Sequence, residues 1–369
     1  MLSYKICHLT SAHRYDDHRI YFKECFSLAQ ANYETHLVAQ NAPNEIRRGI
    51  HLHSVPHISN NRLLRMTKTV WNVYQNAVEV DAELYHFHDP ELIPIGLLLK
   101  MRGKKVIYDV HEDLPRTIVN KNHIPQNLRN IISVASKLLE DFASKYFDAI
   151  VTATPMIASR FTRLGCLAID IKNYPNLTDL EFPDLNWGQK EQAVCYLGSI
   201  GEQRGIFETI AAIEQTDANL LLAGNFAYPD DRDKAMTMPG WDKVRYLGYL
   251  NRQEVAQVLA KSMAGLVVLH PLINYLDALP VKMFEYMFAG IPIVASDFPL
   301  WKQIIEEHQC GICVNPLDPN AIAAAIQWII DNPELARQMG ENGRRAIEEK
   351  YNWNYENTKL LELYSKLLH

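Results

Sequence analysis

Short apolar runs and helical periods take turns along this chain twice over, and that alternation leaves few folds open. In the first half, Tyr4–Leu9, Thr35–Ala39, His51–Val55, Leu84–Phe87, Lys105–Asp109, Ala149–Thr152 and Ile169–Asn173 read as strands. Helical periods over Ile20–Ala31, Leu63–Val80, Ile93–Arg102, Leu128–Tyr146 and Pro155–Leu164 separate most of them. Between Tyr174 and Gln192 the pattern breaks, with Pro175, Pro183 and Gly188 among polar residues. It then restarts, with predicted strands from Ala193–Leu197 to Ile312–Val314 and helices from Ile206–Glu214 to Trp353–Leu368. Alternation of this kind predicts parallel sheets covered by helices on both faces. The expected class is α/β, with two doubly wound, Rossmann-like domains facing across a cleft, because such sheets bind ligands beyond the carboxyl ends of their strands. The expected boundaries are 1–175, a linker over 176–192, 193–350, and a last helix over 351–369.

A chain of 369 residues is too long for one ordinary core, which agrees with two domains. Its formal charge of −6 gives no general pull toward nucleic acid or acidic membrane, so any basic surface is local. The six cysteines are scattered, and Cys310-Gly-Ile-Cys313 reads as a turn into a buried strand rather than half a zinc site. No apolar run is long enough to span a bilayer. Met1–Lys5 lacks the features of a signal peptide, so a cytoplasmic location is expected.

Leu269 to Asp297 carries the most chemistry. Pro280 suits the first position of a helix, and Gly290 suits its end. The helix start offers free N–H groups and a partial positive charge to an anion such as a diphosphate, and Lys282 in the first turn adds a full charge. Glu285 lies roughly 7 Å further along at 1.5 Å per residue, the reach from a pyrophosphate to its ribose. A plain helix with a solvated lysine and glutamate is the alternative. Upstream, Tyr196-Leu197-Gly198-Ser199-Ile200-Gly201-Glu202-Gln203-Arg204-Gly205 places a glycine turn and an arginine at the end of a strand. Glycine lets backbone approach a phosphate closely, and Arg204 can offer two donors to it.

The 269–297 stretch resembles the signature of the retaining glycosyltransferases of family 4, which have the GT-B fold. Glu285 matches the second glutamate of that signature, and Gly290-Ile291-Pro292-Ile293-Val294-Ala295 matches its tail. The resemblance implies that Glu285 binds the donor ribose. Asp277 stands where the family has a first glutamate on the transferred sugar, and it is one methylene shorter. Arg204-Gly205 matches a family Lys-Gly, whereas Ser199 replaces an arginine. By the same resemblance, Gly198, Gly224, Leu279 and Pro280 border the donor, and the backbone around Tyr249 and Leu250 holds the base. His111 matches a histidine near the donor sugar, which with Arg204, Lys282 and Asp277 makes up the expected catalytic set.

In the first domain, Tyr85–Glu91 and Val106–Asp113 end predicted strands in polar clusters. His13, Arg19, His88, Asp89 and Glu112 are the acceptor-side candidates. Loop polarity, with Asp89 as a helix cap, is the alternative for the clusters. Arg19 and Lys23, four apart on one helix face, could point at phosphate or acceptor or could join a surface ion network.

The implied reaction moves a sugar from a nucleotide-sugar donor, UDP favoured, to a glycan or lipid-linked glycan in surface polysaccharide assembly. No metal or other cofactor and no nucleic-acid partner are expected. The stretch Asn61–Trp71 mixes basic and apolar residues and could touch an acidic membrane. Two other classes fit the same architecture: a nucleotide-sugar 2-epimerase, and a non-catalytic subunit that binds nucleotide sugar.

Overall fold

Most inner strands of this chain are buried along nearly their whole length, as they must be in parallel sheets with helices on both faces. The computed structural model describes residues 4–56, 65–119, 124–178, 182 and 187–369. It divides into two units, Met1–Asn173 with Asn354–His369, and Tyr174–Trp353.

The sheet of the first unit has the order β3-β4-β2-β1-β5-β6-β7-β8. Its strands are β1 (Lys5–Arg14), β2 (Glu34–Gln40), β3 (Ile46–Arg47), β4 (Ile50–Val55), β5 (Leu84–Phe87), β6 (Lys105–Val110), β7 (Ala149–Thr152) and β8 (Ala168–Asp170). All neighbours are parallel except β3 with β4. Cys7, Leu9, Phe87, Tyr108 and Ile150 belong to one core cluster. The chain first builds β2 on one side of β1 and later β5 on the other, so the order reverses between β1 and β5.

The second unit repeats the plan with six strands in the order β11-β10-β9-β12-β13-β14. They are β9 (Ala193–Leu197), β10 (Asn219–Ala223), β11 (Val244–Gly248), β12 (Ala264–Val267), β13 (Ile293–Ser296) and β14 (Gly311–Val314). Here the order reverses between β9 and β12. Each reversal parts the flanking loops and opens a crevice at the carboxyl ends of the strands.

Several elements differ from the sequence expectation. The helix predicted from Ile20 begins as a wide π turn over Ile20–Cys25 and becomes α-helical only over Phe26–Gln30. That turn carries Lys23 and Glu24 inward, both buried. A helix at Pro229–Met236 has no counterpart in the prediction, because its sequence Pro-Asp-Asp-Arg-Asp-Lys has no apolar stripe. Proline at its start, aspartates in the first turn and Lys234 in the last suit a helix on local grounds alone. Of the stretch read as a linker, Trp187–Gln189 form a 3₁₀ turn, and the ring of Phe182 packs 5.2 Å from that of Phe288. The described residues of that stretch therefore pack on the second unit.

The last helix, Trp353–Leu368, returns to the first unit. Its Tyr364 is fully buried there, with its hydroxyl 2.8 Å from His86 Nδ1 and 3.1 Å from His8 Nε2. Among the described residues, no helix is long and apolar enough to cross a membrane. The stretch Asn61–Trp71 lies partly outside those residues.

Candidate active site

The reversal between β9 and β12 produces a cavity of about 390 Å³ in the second unit. One wall is made by the loops after β9 and β10, which cross almost in contact. Gly198 has φ +106° and Gly224 φ +136°, and a Cβ on Gly224 would stand 1.8 Å from the Gly198 carbonyl oxygen. Only glycine permits both that crossing and those backbone angles. Gly205, at φ +72°, is constrained in the same way, since a Cβ there would meet the Val268 carbonyl oxygen at 1.9 Å.

The opposite wall is the start of the helix Val281–Phe288, with Pro280 at its N-cap. Lys282 projects into the cavity wall from the first turn. Its ammonium is buried, has no hydrogen-bond partner among the described residues, and lies 3.8 Å from the centre of the Tyr196 ring. Burial and the nearby Arg204 charge push the Lys282 pKa down to about 7. Arg204 also lines the cavity, with its guanidinium 5.8 Å from the Tyr275 ring centre. Both cations rest against aromatic faces, which stabilise a cation without neutralising it.

Glu285, further along the helix, is 9% exposed and accepts a 2.6 Å bond from Arg252 Nη1. The carboxylate is therefore held in one orientation at the cavity edge. Arg252 opens the helix Arg252–Lys261, behind an Asn251–Glu254 capping box, and its Nε has no hydrogen-bond partner among the described residues. Sequence reasoning missed Arg252, although it lines the same cavity as Tyr249 and Leu250. Its position directly after a strand-end loop is a signal that could have found it.

Of the predicted donor-side residues, Gly198, Ser199, Arg204, Gly224, Tyr249, Leu250, Pro280, Lys282 and Glu285 line this cavity. Gly205, Asp277 and Leu279 are not among its lining residues. Gly205 acts by close packing, and Asp277 is half-buried on the loop between β12 and the helix.

The reversal in the first unit gathers a second polar cluster at the ends of β1, β5 and β6. Asp89 accepts from Thr10 Oγ1 at 2.7 Å, from Ser11 N at 2.6 Å and from Ala12 N at 3.1 Å, which pins the end of β1. It makes no cap bond to the helix that follows, contrary to the capping alternative. Arg19 is 4% exposed and donates through Nε and Nη2 to Asp109 at 2.9 and 3.0 Å, and through Nη1 to the Ile171 carbonyl at 2.8 Å. The reading of Arg19 as a group aimed at phosphate or acceptor is thus corrected: its fork is taken up inside the protein. Lys23 is likewise buried, with its ammonium 2.6 Å from Asn173 Oδ1.

Burial would raise both carboxyls beside Arg19, yet they diverge. The Arg19 charge and the His111 contact hold Asp109 well below the usual carboxylate range. For Glu24, burial wins over Arg19 and the neighbouring Asp109 charge pushes the same way, so its carboxyl lies well above that range. Burial also keeps His8 and His86 neutral. Arg19 and Asp109 are therefore paired in a buried cluster in which Glu24, His8 and His86 are driven toward their neutral forms.

His88 is buried as well, 2.9 Å from His8 and 3.2 Å from Asp109, so it and Asp89 orient neighbours instead of facing an acceptor. His13 and His111 are the more open members, with ring centres 5.1 Å apart. His111 Nε2 lies 3.0 Å from Asp109 Oδ2. Burial lowers the His13 pKa, but the hydrogen bond to Asp17 and the charges of Asp89 and Asp17 outweigh it and leave the pKa raised. Glu112 accepts a 3.3 Å bond from Thr117 Oγ1 near the surface.

A model of the glycosyl transferases of group 1 matches residues 178–346, and a model of glycosyltransferase family 4 matches residues 24–182. The chain is 28% identical over 180 residues to alpha-D-kanosaminyltransferase of Streptomyces kanamyceticus, a match that covers 47% of this chain and 45% of that protein. It is 22% identical over 287 residues to the D-rhamnosyltransferase WbpZ of Pseudomonas aeruginosa, covering 74% of this chain and 71% of that one. The first match thus spans less than half of the relative's length.

Among solved structures, sucrose-phosphate synthase from Thermosynechococcus elongatus superposes with a TM-score of 0.80 at 19% identity, covering 99% of both chains. Anabaena HepE in complex with UDP and glucose gives a TM-score of 0.74 at 14% identity, over 98% of this chain and 100% of that one. At such identities the likeness speaks for the GT-B fold alone. The two family models together reach across both units, and the chain belongs to the group 1, family 4 glycosyltransferases.

Proposed function

We propose that this chain transfers a sugar, with retention, from a nucleoside diphosphate sugar to a glycan or lipid-linked glycan in surface polysaccharide assembly. The reaction would take place in the cytoplasm, at the inner face of the membrane. The observation that carries this reading is a pair of basic side chains on one cavity with no carboxylate partner among the described residues: Lys282 in the first turn of the helix Val281–Phe288, and Arg204 in the turn Glu202–Arg204. An anion is what such a wall lacks, and a diphosphate supplies it. Glu285, fixed by Arg252, then meets the ribose hydroxyls. UDP is favoured as the commoner donor and because the similar Anabaena protein holds UDP.

In the transfer step the acceptor oxygen bonds to the anomeric carbon as the bond from that carbon to the phosphate oxygen breaks. The acceptor proton passes to the departing diphosphate. The protein contributes position and charge: Arg204, Lys282 and the helix dipole stabilise the leaving diphosphate. His111 orients the donor sugar, His13 and Glu112 border the acceptor, and Asp277 reaches the sugar hydroxyls once donor is bound.

Thermal melts with UDP, GDP and ADP test the reading. UDP is expected to raise the melting temperature, and Lys282→Met to abolish that rise. No response to any of the three nucleotides would remove the donor-site assignment. Product analysis without acceptor separates transfer from 2-epimerisation.

A pH dependence follows from Lys282. Its pKa of about 7 lies below the ordinary lysine value, so above neutral pH the Lys282 amine is mostly uncharged. A bound diphosphate favours the ammonium form, and binding therefore takes up a proton. Between about pH 7 and pH 9, diphosphate affinity is expected to weaken by roughly tenfold per unit, until the bound-state pKa is reached. Lys282→Met flattens that slope. Titration calorimetry across this range, in buffers of different ionisation enthalpy, measures both the slope and the proton.

A further inference from the structure

We propose that Asp109 is a positioning residue for sugar transfer: it fixes the His111 ring with Nδ1 as an open lone pair, which accepts a hydrogen bond from a hydroxyl of the transferred sugar. The inference rests on the reading above that His111 orients that sugar. It adds the polarity of the contact and the group that sets it.

Three nitrogens meet at Asp109 Oδ2. Arg19 Nε donates to it at 2.9 Å, His111 Nε2 lies 3.0 Å away and His88 Nδ1 lies 3.2 Å away. Arg19 Nη2 donates to the other oxygen at 3.0 Å, so the guanidinium grips an ionised carboxylate with both prongs. Such a carboxylate can only accept. Both histidines must therefore donate, His111 from Nε2 and His88 from Nδ1. The 3.3 Å between these two nitrogens is then a contact of two N–H groups side by side on one oxygen, with no bond between the rings.

A neutral imidazole has one N–H and one lone pair. Burial pushes the His88 pKa down to about 4, so its Nε2 holds the lone pair and accepts from His8 Nδ1 at 2.9 Å. His8 Nε2 accepts in turn from the Tyr364 hydroxyl at 3.1 Å, and the Tyr364 oxygen accepts from His86 Nδ1 at 2.8 Å. The buried nitrogen left over, His86 Nε2, has no hydrogen-bond partner among the described residues. One charge thus sets the direction of every bond from the last helix to Asp109. The His88 ring lies on those of His8 and His86, with centres 5.2 and 4.8 Å away, which keeps its donor edge turned to the carboxylate.

His111 is the open member. Its side chain is 21% exposed, and its Nδ1 has no hydrogen-bond partner among the described residues. In the neutral ring that nitrogen carries the lone pair. A lone pair binds a sugar O–H and repels phosphate oxygens, so His111 serves the sugar while Arg204 and Lys282 serve the diphosphate. The donor is accordingly a sugar with a free hydroxyl where His111 meets it.

Nitrogen-15 NMR of the full chain labelled in histidine reads the tautomer at pH 8 without ligand. His111, assigned by the signals lost in His111→Gln, is expected as the Nε2–H form. Asp109→Asn is expected to mix in the Nδ1–H form and to lower kcat by at least about tenfold, with little change in KM for the nucleotide sugar. Asparagine sets an amide oxygen near the place of Nδ1, whereas glutamine sets its amide nearer Nε2. His111→Asn is therefore expected to keep about tenfold more kcat than His111→Gln. Equal rates for those two variants, or an unchanged kcat in a folded Asp109→Asn, would overturn the proposal. If Asp109→Asn does not fold, the tautomer of the parent and the pair of His111 variants still decide. An Nδ1–H ring in the parent with the UDP melting shift intact would sink this inference alone, whereas no shift with any nucleotide would remove the donor reading beneath it.

Discussion

Replacing Arg204 by alanine is expected to lower kcat/KM for sugar transfer by roughly a hundredfold to a thousandfold, the range seen when one preorganised donor to a developing charge is removed. The loss should fall mainly on kcat. In the proposed reaction Arg204 sits by the wall where the negative charge of the leaving diphosphate grows, and charge that grows during the reaction is stabilised more in the transition state than in the ground state. Arg204→Lys should recover only a fraction of the rate, because an ammonium cannot offer two parallel donors. Lys282 cannot cover the deficit. Its own protonation is opposed by burial, although removal of the Arg204 charge would let its pKa rise. Steady-state kinetics for both variants, with the melting temperature as a control for folding, check this. Near-normal turnover of Arg204→Ala would end the assignment of the leaving-group site.

The second large effect concerns stability. Arg19→Ala is expected to cost about 3–5 kcal/mol, the range found when one partner of a buried ion pair is deleted. Asp109 would then be a buried carboxylate without its cation, and the Ile171 carbonyl would lose a donor. Domains are stable by only about 5–15 kcal/mol, so the first unit would come near to unfolding at ambient temperature. Urea unfolding followed by circular dichroism should show an early transition in Arg19→Ala. Adding Asp109→Asn to that variant should restore some of the loss, because it removes the stranded charge. A midpoint for Arg19→Ala within experimental error of the parent would contradict the described network.

The features of this chain that could be read in advance are those whose signal is local. Strands such as Ala149–Thr152 and Asn219–Ala223 declare themselves by unbroken apolar runs, because both faces of a parallel sheet are covered. Lys282 and Glu285 stand within one short helix whose start and end are marked by Pro280 and Gly290. The pairing of Arg252 with Glu285 was invisible because it spans 33 residues, and only the sheet topology brings the two helices together; the place of Arg252 after a strand-end loop was its one local signal. Arg19 was misplaced for a similar reason. Its partner Asp109 lies 90 residues away on another strand, and the π turn after Arg19 does not follow the period used to assign faces. The helix Gln126–Ala143 is predicted from its period, but periodicity cannot say which face turns inward. Buried partners such as Tyr108 and Arg160 decide that.

The return of the last helix to the first unit has a consequence for how the protein is made. Tyr364 completes a buried cluster whose other members, His8 and His86, leave the ribosome more than two hundred residues earlier. Domains ordinarily fold in order of synthesis. Here the amino-terminal unit must wait, unfinished, until that helix has been made, while the later one can close first. A premature stop that spares everything up to Trp353 would therefore damage the oldest segment of the chain.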